Sequence, residues 1–182
     1  MINSKRKGNK FELDIAKKLS LFLSEGNNDD WFGRSQNSGG RQTIRKKQGI
    51  DTHNQDGDIT VVHKDVSLFG EIYTVECKHY KNIELWGLIT GANSNIVTFW
   101  NQVCQKALEV NKRPILIAKQ NHKPTLFITS SVVGRYIKEY FKIGPLMEST
   151  VGYETLCFYL LDDILDLDPI AFLKMTEELK NG

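Results

Sequence analysis

An amphipathic helix followed by three strand-like runs restricts this chain to a mixed α/β fold. Placed at about 100° per residue, the apolar side chains of residues 8–24 fall on one arc, and the lysines of the segment lie outside it. The arc consists of Phe11, Ile15, Ala16, Leu19, Phe22 and Leu23. Residues 31–35, 58–63 and 72–80 follow as strand-like runs, and the last two are predicted to pair as a hairpin through a turn at residues 65–70.

The later segments continue this pattern of strands and helices. The resulting order, α-β-β-β-α-β-β, predicts a mixed β-sheet with helices packed against it. The further predicted elements are a helix whose buried face carries Ile96, Trp100, Val103, Cys104 and Ala107, strands at 115–118 and 126–129, a helix at 132–141, a strand at 155–160 and a helix at 169–179 capped by Asp168.

Length and cysteine usage indicate one domain in a reducing compartment. A chain of 182 residues suits a single domain over residues 1–182. The three cysteines are far apart and form no CxxC pair, which argues against disulfides or structural zinc. Without an apolar leader or a spanning segment, the chain is expected to be cytoplasmic, with no membrane partner.

Charge is distributed unevenly along the chain. Residues 1–50 carry 11 Lys and Arg against 5 Asp and Glu, a net of +6, whereas residues 143–182 carry 2 against 8, a net of −6. A basic leading segment suits a polyanion such as nucleic acid, although two solvated surfaces would account for the same numbers equally well.

Glu76 and Lys78 are the first candidate site residues. They stand two apart in a strand-like run, so both project from one face, where an acid and a lysine are costly to bury without a purpose. An isolated pair of this kind is more often a same-strand ion pair. Asp58 opens the preceding run, 76 − 58 = 18 residues earlier, and strand pairing would bring its carboxylate to Glu76. Two such carboxylates repel unless a cation lies between them, and oxygen ligands favour Mg2+, or Mn2+ as its substitute. The alternative is that Asp58 only closes a turn.

Glu12 is the third acid. It falls inside the apolar arc of the first helix, where a carboxylate needs a buried partner unless it bends out to solvent.

These residues resemble the PD-(D/E)xK nuclease superfamily and, within it, archaeal-type and phage-encoded Holliday junction resolvases. The similarity covers roughly residues 5–130. It is carried by Lys7-Gly8-Asn9-Lys10-Phe11-Glu12, Arg34-Ser35-Gln36-Asn37-Ser38-Gly39-Gly40, Gly57-Asp58-Ile59, Val75-Glu76-Cys77-Lys78, Phe99-Trp100-Asn101-Gln102 with Ala107, and Arg113-Pro114-Ile115-Leu116-Ile117. Gly57 stands where the motif has its proline.

The resemblance implies a restriction-endonuclease-like αβββαβ core at about residues 5–130, with an elaboration at 131–182. It also implies divalent-metal cleavage of DNA in recombination and repair, in a prokaryotic or phage-infected cell, and a homodimer that grips a four-way junction. The implied metal ligands are Asp58, Glu76, the backbone carbonyl of Cys77, and Glu12 directly or through water. Lys78 is expected to orient the attacking water or stabilise developing charge. Removing Lys78 should therefore leave metal binding intact and depress turnover.

The polar stretch after the first strand is the expected DNA grip. Its cationic side chains can neutralise phosphates, and backbone N–H groups at Ser38 and Gly39 can form an anion nest. An ordinary solvated loop is the alternative. The expected nucleic-acid-binding residues are Lys7, Arg34, Ser38, Gly39, Arg41, Arg45, Lys46 and Lys47.

Several polar residues receive no role from their spacing. None of the four histidines shows ligand spacing, and His79 alternates away from Glu76. Gln102 and Lys106 are expected on the solvated side of their helix, and Trp86 and Trp100 in the core or at a dimer contact.

Two other functions compete with junction resolution. A restriction-like or nicking endonuclease on duplex DNA would use the same core, although the sequence shows no helix-turn-helix or zinc finger that would read bases. A DNA-binding protein without catalysis is the alternative from another class, and the complete set of acids and lysine argues against it.

Overall fold

The structure is a computed structural model that describes residues 4–35, 56–91 and 93–181. The helices of this part are α1 (Ser4–Leu23), α2 (Ser67–Ile72), α3 (Leu85–Thr90), α4 (Asn95–Glu109), α5 (Ser131–Phe141), α6 (Leu161–Leu165) and α7 (Pro169–Asn181), with a 3-10 helix at Lys64–Val66. The strands are β1 (Phe32–Arg34), β2 (Ile59–Val61), β3 (Tyr73–Tyr80), β4 (Arg113–Gln120), β5 (Thr125–Ser130), β6 (Met147–Val151) and β7 (Glu154–Leu160).

A five-stranded mixed sheet in the order β3-β4-β5-β7-β6 forms the centre of the fold. β3 and β4 run parallel, since α3 and α4 carry the chain back between them, and the remaining neighbours are antiparallel. β1 and β2 form a separate antiparallel ribbon. The α-β-β-β-α-β order expected for a restriction-endonuclease-like core is confirmed.

Apolar side chains cover both faces of the sheet. The larger cluster packs α1, α5, α6 and α7 against one face, and every member of the predicted α1 arc is buried in it. The smaller cluster packs α4 against the other face through Phe99, Trp100 and Val103, which lie over Leu116 and Ala118 of β4. The stripe of α1 therefore faces the sheet as its periodicity predicts.

The predicted hairpin of residues 58–63 with 72–80 is wrong. β2 pairs with β1, and residues 65–70 belong to the 3-10 helix and α2 rather than to a turn. Val66, Phe69 and Ile72 recur every three residues and are buried, which is a helical pattern. One backbone bond, from Asp58 N–H to the Val75 carbonyl at 2.8 Å, still joins this segment to β3.

The C-terminal third contains the predicted helices and strand. The predicted cap of the last helix is confirmed, because Asp168 Oδ1 accepts from the Ala171 N–H at 2.6 Å at the start of α7. β6 and the short α6 were not predicted. Because β7 pairs with β5, this third of the chain extends the same sheet; the division into a core and an elaboration stays a prediction.

Candidate active site

Asp58 lies along the outer edge of β3, on the side away from β4. Its N–H donates to the Val75 carbonyl at 2.8 Å, and its Oδ2 accepts from the Cys77 N–H at 2.9 Å. The Ser35 N–H in turn donates to the Asp58 carbonyl at 2.8 Å. Backbone bonds on both sides thus hold this buried carboxylate at the middle of the strand.

Gly57 allows the close approach of this segment to β3. A Cβ at Gly57 would lie 2.2 Å from the Val75 carbonyl oxygen and 2.9 Å from its nitrogen. Neither atom can move without disturbing the strand. The departure from proline at this position therefore has a steric reason here, since any side chain, proline included, would collide with β3.

Glu76 and Lys78 project from the same face of β3, as their spacing predicts. They are the register partners of Leu116 and Ala118, whose side chains face α4. Lys78 Nζ donates to Glu76 Oε1 at 2.7 Å and lies 5.7 Å from the centre of the Phe99 ring of α4. The Glu76 side chain is only 5% exposed, so this acid is neutralised within the protein rather than by solvent.

Lys106 of α4 is the second cation on Glu76. Its Nζ donates to Glu76 Oε2 at 2.5 Å, so the two lysines divide the two carboxylate oxygens between them. The expectation that Lys106 belongs to a solvated face is wrong. A helical wheel places only the Cα of a residue, and a four-carbon side chain at the edge of the polar face reaches the sheet. Gln102, one turn earlier, is exposed.

Glu12 reaches the same region from α1. It is 9% exposed, and Arg34 Nε of β1 donates to its Oε2. Its negative charge contributes to the raised pKa of Asp58 and of the Cys77 thiol, so Glu12 lies within electrostatic range of both. The three predicted acids are therefore all buried in one region, one from α1, one beside β2 and one from β3.

Burial and neighbouring charges shift the pKa values of three groups in the site. Burial, and then the negative charge of Glu76, raise the pKa of Asp58 to about 7, while the Cys77 N–H and Lys106 act in the opposite direction. Burial, and then the charges of Asp58 and Glu76, raise the pKa of the Cys77 thiol well above its usual value. Burial alone would lower the pKa of Lys78, but the charge of Glu76 and the hydrogen bond to it outweigh burial and raise it.

The chemistry of these donors fits a hard divalent cation. Carboxylate oxygens are the ligands that Mg2+ and Mn2+ prefer, and a cation would offset both the burial and the charge of Glu76 that raise the pKa of Asp58. Within residues 4–35, 56–91 and 93–181, no group of three or more His, Cys, Asp or Glu side chains is arranged to hold a metal ion. Glu12 and Glu76 instead point their oxygens at Arg34, Lys78 and Lys106.

The predicted nucleic-acid-binding residues divide into two groups. Arg34 lies beside the acids, and Lys7 lies on α1 with its Nζ 2.5 Å from Asn121 Oδ1. Ser38, Gly39, Arg41, Arg45, Lys46 and Lys47 lie outside the described residues, as does nearly all of the predicted loop.

The strand order and the acids on an edge strand define an α/β protein of the restriction-endonuclease-like class. The chain belongs to the family described as "Phage putative PDDEXK endonuclease", whose model matches residues 3–169. It is thus a member of the PD-(D/E)xK superfamily, and the family is one of endonucleases, hydrolases that act on DNA. No curated protein and no solved structure matches the chain. In the part of the chain that the structure describes, no helix combines the length and the apolarity needed to cross a membrane.

Proposed function

We propose that this protein is a metal-dependent, structure-specific DNA endonuclease that resolves Holliday junctions by paired phosphodiester cleavage. The observation that carries the proposal is the convergence of buried Glu12, Asp58 and Glu76 with Lys78 in a chain of an endonuclease family. Burying three acids together is costly unless a cation compensates them.

Asp58, Glu76, Glu12 and the Cys77 carbonyl are the proposed ligands of Mg2+. When bound, the cation polarises the scissile phosphate and makes an attacking water more acidic. The N–H of Cys77 holds the Asp58 carboxylate in one orientation, so this ligand is preorganised. Metal binding requires Glu76 to exchange at least one of its two lysine contacts.

Lys78 is the proposed catalytic cation. It is about four-fifths buried, with a side chain 18% exposed, and the Phe99 ring confines its ammonium group on one side. Such a fixed ammonium orients water or stabilises the negative charge that develops on the phosphate. Lys106 is the proposed counter-ion of Glu76 before the cation binds, since it contacts the acid and is supplied by a different element.

The proposal that the substrate is branched DNA is supported by the resemblance of these motifs to junction resolvases. A homodimer is proposed with it, because paired cuts in a four-way junction require two sites. Trp86 and Ile89, three residues apart on α3, support such a contact: they are 75% and 61% exposed, and large exposed apolar groups mark interaction sites. Light scattering of the wild type and of Trp86→Ala tests the dimer directly.

The test of function is cleavage of a synthetic four-way junction, a linear duplex and a single strand, each with Mg2+, Mn2+ or EDTA. Paired symmetric nicks in the junction alone are expected. Cleavage of all three substrates would favour the duplex or nicking endonuclease, and loss of cleavage with every metal would favour a binding protein. Asp58→Asn must abolish cleavage, because the variant keeps the shape of the side chain but loses its charge.

A further inference from the structure

Four polar side chains meet at the ends of β3 and β4, on the sheet face that α1 covers. Lys7 Nζ donates to Asn121 Oδ1 at 2.5 Å. His79 is the register partner of Lys119, and Asn121 forms a side-chain hydrogen bond with His79. Lys7, His79, Lys119 and Asn121 are called the strand-end patch below.

Packing fixes the position of the strand-end patch. The His79 ring lies 5.2 Å from the Phe11 ring, centre to centre. Phe11 follows Lys7 by one helical turn, so the same stripe of α1 carries both. The Lys7 ammonium is therefore held at the sheet end by Asn121 and by the seating of α1, rather than ranging freely in solvent.

The ammonium groups of Lys7 and Lys119 give the strand-end patch a positive charge on both sides of His79. Asp14 is the acid that faces this histidine, and it is exposed on α1. Two ammonium groups and an imidazole that remain partly exposed form a surface suited to an anion, and phosphate oxygens accept from all three.

The strand-end patch adjoins the acids across the end of β3. Lys78 and His79 are consecutive residues on opposite faces of the strand, so the site and the patch lie on two sides of one edge. On α1, Lys7 precedes Glu12 by five residues, about 7.5 Å along the helix axis. A DNA strand whose cleaved phosphate lies at the acids would pass the patch within a short distance.

We propose that the strand-end patch binds a backbone phosphate of the DNA substrate that flanks the cleaved bond, with Lys7 and Lys119 as its cationic contacts. This inference rests on the proposed nuclease function and adds to it the path of the bound strand. It also extends the predicted DNA contact of Lys7 to Lys119, beside a histidine that sequence spacing leaves without a role.

The test is the salt dependence of DNA affinity, measured with a synthetic four-way junction in EDTA so that no cleavage occurs. Removing one lysine–phosphate contact makes the negative slope of log K against log salt less steep by about 0.9. The double variant Lys7→Gln with Lys119→Gln is therefore expected to have a slope less steep by about 2. The matched control is Lys138→Gln with Lys174→Gln, two exposed lysines on α5 and α7, and it should leave the slope unchanged. Lys7→Arg with Lys119→Arg should retain it.

The outcomes separate this inference from the function on which it rests. A wild-type protein that binds and cuts DNA, with the Lys7 and Lys119 double variant at the same slope as the control pair, would overturn the strand-end patch and leave the nuclease standing. A wild type that neither binds the junction in EDTA nor cuts it with Mg2+ or Mn2+ would overturn both. Thermal unfolding of each variant establishes that the compared proteins are equally folded.

Discussion

The contact of Lys106 with Glu76 yields a quantitative prediction about stability. Lys106→Met removes the ammonium that lies 2.5 Å from Glu76 Oε2 and keeps most of the aliphatic stem. Glu76 is 5% exposed, so solvent cannot replace the lost partner, whereas Lys78 still holds the other carboxylate oxygen.

The expected loss of stability follows from the exposure of Glu76 and that of Lys106. A hydrogen bond to a charged group contributes about 1.5–3 kcal/mol. Because the Lys106 side chain is 34% exposed, screening by water reduces the loss to about 1–2 kcal/mol. For a chain of this size that corresponds to a fall in Tm of roughly 2–8 °C.

Lys180→Met provides the matched control. Lys180 Nζ also contacts a glutamate, Glu71, at 2.7 Å, but both side chains of that pair are 48% exposed. An exposed pair contributes about 0–1 kcal/mol. Urea and thermal unfolding in EDTA should therefore separate the two variants, with the Lys106 variant the less stable. Equal losses in the two would refute the reasoning that burial of Glu76 sets the magnitude.

Divalent metal gives the second measurement on the same variants. A cation that Glu76 binds replaces the missing ammonium. Mn2+ should therefore raise the stability of the Lys106 variant by more than it raises that of the wild type. Calorimetric titration should likewise show tighter Mn2+ binding, because the lysine no longer competes for the acid. Weaker Mn2+ binding by this variant would show that Lys106 assists the ligand rather than competes for it.

Three further substitutions have opposite expected signatures. Gly57→Ala forces a Cβ to within 2.2 Å of the Val75 carbonyl oxygen; it should cost about 1–3 kcal/mol in unfolding experiments and abolish cleavage, since Asp58 must shift. Gly8→Ala meets no atom within 4 Å; it should raise stability by about 0.5–1 kcal/mol in the same unfolding experiments, because alanine suits the interior of α1 better than glycine. Lys78→Met should retain Mn2+ binding by calorimetry and lose at least about tenfold in single-turnover rate; retained turnover would exclude Lys78 from the chemistry.

Local periodicity in the sequence identified the elements that bury one face against the core. The arc of α1 and the antiparallel pair β4–β5 follow directly from patterns within a few residues. Pairing between distant segments is not encoded in that way. β3 pairs in parallel with β4, and β2 pairs with β1, although β2 is nearer in sequence to β3 than to β1.

The site residues also divide into those that local sequence spacing predicts and those that it does not. The spacing of Glu76 and Lys78 on one strand predicts their common face, and the position of Glu12 on the apolar arc predicts its burial. Lys106 could not be found in this way, because its contact with Glu76 depends on where α4 crosses the sheet. The only local signal is a lysine at the border of the polar face of a helix, and many solvated lysines share it.

The separation of the β1–β2 ribbon from the main sheet affects how the site responds to heat. The ribbon has three residue pairs, and two-stranded pieces of that size have little stability of their own. Arg34 and Asp58 enter the site from the ribbon, whereas Glu76 and Lys78 belong to the five-stranded sheet. Local opening of the ribbon, together with loss of the two hydrogen bonds from Asp58 to β3, would therefore carry two of the site residues away while the five-stranded sheet stays closed. Thermal inactivation would then precede the loss of most of the β-structure.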